Sequence, residues 1–178
     1  MNFQGDQPLL PGRALAALVE AMKADRSSQM GTLVCPLPRD EVANPNTVKV
    51  VTDRSGHALY FSRATIPHTR DAAETGRTAY AAHVGVYAYR KSVLQQLART
   101  PPCALEQSEM LEQLRALWLG IRIRTVALRS LAPFEINTPE DHARAEDLWA
   151  RAGGDGRAAY DLWCRDAAGR EMCPFPDL

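Results

Sequence analysis

The run Gln4-Gly5-Asp6-Gln7-Pro8 opens the chain directly after Met1-Asn2-Phe3, and it constrains the fold more than any other stretch. A strand that ends in Gly-Asp delivers a carboxylate at its end: Gly lets the backbone turn, and Asp offers a hard anionic oxygen suited to a divalent cation. Such a strand ordinarily lies buried inside a sheet, yet only three residues stand before this run. The expectation is of the second part of a larger fold. It would hold a central parallel strand unpaired on one flank, and would be poorly soluble or dependent on a partner. Taken alone, Asp6 reads first as a cap for the helix after Pro11.

Bulk properties narrow the class. The 178 residues, 46% of them apolar, are one domain's worth of chain with enough material for a core. Basic and acidic residues balance at 21 each and no basic run interleaves with aromatics, which argues against nucleic-acid or membrane-surface binding. Cys35, Cys103, Cys164 and Cys173 are scattered without a CxxC pair, a pattern of reduced thiols in a cytoplasmic protein and not of structural zinc or a disulfide framework. No apolar run reaches the roughly 20 residues of a membrane span, and residues 1–10 lack signal-peptide character.

Periodicity orders the elements. Residues 14–24 repeat Leu15, Leu18, Val19 and Met22 at helical spacing, 31–37 reads as a short buried strand, and 47–52 with 58–62 read as an antiparallel pair turned by Asp53-Arg54-Ser55-Gly56. Residues 70–80 read as a loop, 83–89 as a strand with functional side chains on one face, and 91–99 as a helix ending before Pro101-Pro102. One long helix is predicted over 105–119, with Leu111, Leu114, Leu117 and Trp118 inward and Gly120 as its stop, then a strand over 121–128. Thr138-Pro139-Glu140-Asp141 is a capped helix start running to about Arg151. Residues 158–168 form a short helix anchored by Trp163. Strands alternate with helices, so the fold class is α/β. The domain occupies 1–152, and 153–178 is a tail with no assigned role.

Several segments in register resemble one family. They are Gln4 to Pro8, Asn44-Pro45-Asn46 with Val48-Lys49-Val50-Val51, Ala58 to Pro67, and His83 to Arg90. Leu105-Glu106 with Glu109 to Arg115, and Thr138 to Asp141, complete the series. Across about residues 2–150 they resemble the 3-deoxy-manno-octulosonate cytidylyltransferases, the CMP-Kdo synthetases. The resemblance implies a mixed, mainly parallel sheet of the nucleotide-diphospho-sugar transferase type with an antiparallel extension, its N-terminal part missing. It implies cytoplasmic, magnesium-dependent homodimers that join CMP from CTP to the acidic sugar Kdo for lipopolysaccharide assembly, releasing pyrophosphate. By resemblance Asp6 is the catalytic metal carboxylate and Gln4, His83, Tyr87, Glu112 and Gln113 are sugar contacts, with Arg63 as partner for the sugar carboxylate. On type alone, His83 on an aromatic strand is a core histidine, and Glu109, Glu112 and Arg115 at helical spacing are a solvated, paired face. Tyr60, Phe61 and Tyr89 read as core or subunit-contact residues, and His57, His68 and His142 as surface residues.

Two departures qualify the resemblance. The family's Gly- and Arg-containing triphosphate loop does not precede Met1, and Asn137 stands where the family places a second metal aspartate. Asn keeps a carbonyl oxygen but no charge, so it holds magnesium more weakly. A catalytically inactive remnant that binds an acidic sugar or pairs with a full-length copy is the rival expectation, and a start site assigned within a longer reading frame is the third.

Overall fold

The computed structural model describes residues 1–71, 76–128 and 134–176. In chain order its elements are β1 (Asn2–Phe3), α1 (Gly12–Ala24), β2 (Met30–Pro36), a 3-10 turn (Arg39–Glu41), β3 (Lys49–Thr52), β4 (Ala58–Ser62) and β5 (Ala81–Tyr89). There follow α2 (Lys91–Arg99), α3 (Ala104–Glu109), α4 (Gln113–Trp118), β6 (Ile123–Ala127), α5 (Pro139–Arg151) and α6 (Gly156–Ala168). The strands form one sheet in the order β4-β3-β5-β2-β6, with β1 on β5. The α/β class is as expected.

The balance of pairings differs from the expected mainly parallel sheet. Only β2–β6 is parallel among the described strands, whereas β1–β5, β2–β5, β3–β4 and β3–β5 are antiparallel. The reason is topological. The β3–β4 hairpin returns the chain so that β5 runs against both β2 and β3, and only the long helical passage through α2, α3 and α4 brings β6 back parallel to β2.

β2 and β5 are buried along nearly their whole length because helices cover both faces. On one face Leu33, Cys35, Val84 and Val86 pack with α1, α5 and α6 through Leu18, Leu148 and Trp163. On the other, Val34, Tyr87, Val50 and Phe61 pack with α2 and α4 through Val93 and Leu114. Gly31 permits the first contact, since a Cβ there would stand 2.8 Å from Met22 Sδ and 3.0 Å from Leu18 Cδ1.

Four local expectations are corrected. β1 is not a buried, parallel interior strand: it is two exposed residues antiparallel to β5, with Asn2 opposite Tyr87 and Phe3 opposite Val86. It shares that edge of β5 with β3, which takes Ala81 and Ala82. The single helix over 105–119 is broken into α3 and α4 at Met110, whose φ is 54°. Tertiary bonds claim the end of α3: Ser62 Oγ and the Arg63 N–H donate to the Glu109 carboxylate, and Arg63 Nε donates to the Glu109 carbonyl. The break shifts the phase of the apolar stripe, so Leu114 and Ala116 are buried and Trp118 is 60% exposed. His57 is buried rather than on the surface, because the β3–β4 turn folds onto β6, where Gly56 O accepts from Thr125 N and Arg122 reaches the ring.

Residues 156–174 pack onto the rest of the fold. Trp163 lies edge-on to Phe134 with ring centroids 4.9 Å apart, and backbone bonds Arg39 N to Glu171 O, Cys173 N to Leu37 O and Tyr80 N to Pro174 O tie it to the sheet. All four cysteines are free thiols. Among the described residues no helix is long and apolar enough to cross a membrane.

Candidate active site

Alternation along β5 puts His83, Gly85, Tyr87 and Tyr89 on one face. A bulge in the β2–β5 ladder opens beside Thr32, whose hydroxyl sits 2.8 Å from Val86 O and 3.1 Å from His83 Nε2. A carbonyl only accepts, so Thr32 donates to Val86 O and receives the His83 Nε2 proton. That assignment makes Nδ1 the acceptor nitrogen of a neutral ring, and burial pushes the His83 pKa down to about 3. The ring is held by Phe61, 5.0 Å away edge-on, and by Tyr87 at 5.4 Å. Burial raises the Tyr87 phenol well above its ordinary value, so it stays a neutral donor.

The turn after β1 crosses this face at Gly85. A Cβ there would meet Gln4 Oε1 at 2.8 Å and Gln7 Nε2 at 3.1 Å, so the absence of a side chain is what admits the turn. Ile136 N donates to Asp6 O at 2.9 Å and Gln7 Nε2 to Glu135 Oε1 at 2.7 Å, which bring residues 135–137 beside the Gly5-Asp6 turn. Asp6 and Asn137, assigned to one site from the sequence, are thereby neighbours through Ile136 and Glu135.

Two cavities reach these residues. The larger, about 550 Å³, is lined by His83, Asn46, Glu135, Asn137, Arg144 and Trp163 among others. The second, about 400 Å³, includes Asn2, Tyr87, Tyr89, Glu112, Gln113 and Arg115. The expected sugar contacts are thus distributed: His83 faces the first cavity, and Tyr87, Glu112 and Gln113 the second. Gln4 lies between them over Gly85, and the His83–Tyr87 ring contact joins the two halves. Arg63 lines neither cavity. Its Nε and Nη1 donate to the carbonyls of Glu109 and Pro45, so it clamps two loops, and burial raises the Glu135 carboxyl with the Arg63 charge offsetting only part of that shift.

Some buried polar atoms have no hydrogen-bond partner among the described residues, including Asp6 Oδ1, Gln7 Oε1 and Gln113 Nε2. Leaving such groups unpaired costs about 1–3 kcal/mol each, so each calls for a partner at its position, a water or a bound ligand. The donor set around Asp6 is hard oxygen, which fits a magnesium ion. No group of three or more His, Cys, Asp or Glu gathers among the described residues. Magnesium characteristically needs only one or two carboxylates plus substrate phosphates.

Sequence reasoning missed four residues here. Thr32 and Glu135 carried no spacing signal, although Glu135 stands two before Asn137, the interval that puts side chains on one side of an extended segment. Lys49 is fully buried, its ammonium held by the carbonyls of Asn44, Thr47 and Arg63 at 2.7–2.8 Å. Glu106, not Glu109 or Glu112, is the partner of Arg115, at 2.7 Å from its Nε.

Comparison with known proteins extends the geometry. A family model described as cytidylyltransferase matches residues 1–123. A 3-deoxy-manno-octulosonate cytidylyltransferase of Polynucleobacter necessarius is 42% identical over 153 residues, 85% of this chain and 60% of that protein. One from an Anaeromyxobacter species is 50% identical over 151 residues, 84% of this chain and 59% of that protein. A solved structure of CMP:2-keto-3-deoxy-manno-octonic acid synthetase complexed with CTP superposes with a TM-score of 0.76 at 39% identity, covering 84% of this chain and 61% of that one. The chain therefore spans about 60% of the length of the relatives it matches.

Proposed function

The chain belongs to the cytidylyltransferase family, and from that membership and the layout of β5 we propose that it forms the acid-sugar side of a CTP-dependent enzyme making CMP-Kdo. In that reaction the anomeric hydroxyl of 3-deoxy-manno-octulosonate attacks the α-phosphorus of CTP. The new P–O bond forms as the bond to pyrophosphate breaks, and the hydroxyl proton passes to solvent. The relatives' names and the CTP complex of the matched structure support the substrates.

The observation that carries the reading is the set of polar side chains that β5 and α4 bring to the two cavities. Neutral His83 offers an acceptor nitrogen, Tyr87 a phenol donor and Gln113 an unpaired buried amide donor, the complement of a polyhydroxylated acid. Gln4 crosses the same face, and Glu112 stands at the rim of the second cavity. Arg63 adds positive charge from the side. Magnesium, held by Asp6 and by oxygens from residues 135–137, would neutralise phosphate charge. Homodimerisation is supported by the exposed Leu105, Met110 and Trp118 of α3–α4, and a cytoplasmic location by the free thiols.

Calorimetric titration of the chain with Kdo, and a pyrophosphate-release assay with CTP, Kdo and magnesium, test the reading. Saturable Kdo binding weakened at least about tenfold by Gln113→Ala, together with CTP-dependent pyrophosphate release, is expected. Kdo binding without release makes the chain a sugar-binding remnant, and no Kdo binding overturns the assignment of this face.

A further inference from the structure

Position 137 carries an uncharged amide, yet the site is not short of a carboxylate. We propose that Glu135 is the second carboxylate of the cation site, acting with Asp6 in the role that Asn137 cannot fill. The inference rests on the reading that a divalent cation is held at Asp6.

Three contacts place Glu135 there. The backbone bond from Ile136 N to Asp6 O, 2.9 Å, fixes the residue following Glu135 against the turn that presents Asp6. Gln7 Nε2 holds Glu135 Oε1 at 2.7 Å, and Asn137 Nδ2 approaches Oε2 at 3.5 Å. A carboxylate has about four lone-pair sites, so one donor on each oxygen leaves both able to bind a cation. Asn137 spends its amide N–H on Glu135 and so orients it, while remaining itself exposed at the rim.

Independent signs point to a missing ligand. Gln7 is 2% exposed, its amide is anchored on Glu135, and its Oε1 has no partner among the described residues. Asp6 Oδ1 is buried and likewise unpartnered. The larger cavity opens at Glu135 and Asn137, giving a phosphate access to the ion from the side of His83.

Manganese(II), titrated into the chain without nucleotide and followed by the electron paramagnetic resonance of the free ion, separates the roles. Wild type is expected to bind saturably. Glu135→Gln, which keeps the acceptor for Gln7, should weaken binding at least about tenfold, and by more than Asn137→Ala, which removes only the amide that orients Glu135. Metal-free thermal unfolding of each variant establishes that the fold persists, and Glu135→Asp, should Glu135→Gln not fold, must retain measurable but weaker binding. If Asp6→Asn abolishes binding and Glu135→Gln does not, the proposal for Glu135 falls and the site reading stands. If Asp6→Asn has no effect, or wild type binds no manganese, the cation site at Asp6 falls and the proposal with it.

Discussion

The hydroxyl of Thr32 lies 3.1 Å from Nε2 of His83, joining the middle of β2 to the side chain that faces the larger cavity. The same hydroxyl satisfies Val86 O in the β5 bulge, so one atom sets both the histidine tautomer and the local path of the strand. Thr32→Val keeps the shape and removes that atom. It should cost about 1–3 kcal/mol of stability in urea unfolding, because a buried donor and a buried carbonyl lose their partner, whereas Thr32→Ser should cost less. A loss in Thr32→Ser as large as in Thr32→Val would show that the hydroxyl is not the dominant contribution of Thr32.

Acid should destabilise the protein through His83. The folded ring titrates at about 3 against an ordinary 6.5, so between those values the unfolded chain binds a proton that the folded chain does not. Stability therefore rises with pH across this window, with a limiting slope of about 1.4 kcal/mol per pH unit. His57, lowered by burial and by Arg122, acts in the same sense. Glu135, raised by burial, acts oppositely, its contribution being lost as pH rises through its folded value. Urea midpoints of wild type and His83→Gln between pH 4.5 and 7 isolate the term: the wild type should lose ground to the variant on acidification, and a constant gap would refute it.

Lys49 makes a stability prediction that the sequence could not have provided. Its ammonium is enclosed by three carbonyls, and burial, then the charge of Arg63, lower its pKa while Glu109 and Glu41 oppose the shift. Lys49→Met would strand those carbonyls and should cost about 2–4 kcal/mol. Because Asn44 and Thr47 line the larger cavity, ligand affinity should fall beyond what the fraction unfolded explains. Chemical denaturation and calorimetry on one preparation check both parts.

What the sequence discloses about this chain is what local chemistry determines. The helix after Thr138 is legible because its capping box with Asp141 is complete within four residues and forms as read. The strands from Met30 and Ala81 are legible because apolar runs of that length have few alternatives. The break at Met110 is not, since it depends on Glu109 being captured by Ser62 and Arg63 more than forty residues earlier. Nor is the burial of His57, which follows from a turn meeting β6, nor the role of residues 156–174, whose anchors lie on the strand ends and loop at Leu37, Arg39 and Tyr80. The candidate site residues Asp6, His83, Tyr87 and Gln113 are named from their order along the chain. Their division between two cavities, and the arrival of Glu135 among them, depends on how the turn over Gly85 is seated.

Gly85 accordingly offers the sharpest separation of function from stability. Its backbone needs no left-handed conformation, so alanine there is not strained in itself. The added methyl would instead stand 2.8 Å from the end of exposed Gln4, which can swing away, and 3.1 Å from Gln7, which is buried and tied to Glu135. Gly85→Ala should therefore cost no more than about 1–2 kcal/mol in unfolding while displacing Gln7 and, with it, the Asp6–Glu135 pairing. Manganese affinity should drop several-fold and Kdo affinity should drop with it. An unfolding cost above that range with both affinities intact would mean that the turn is only packed on β5 and does not position the site.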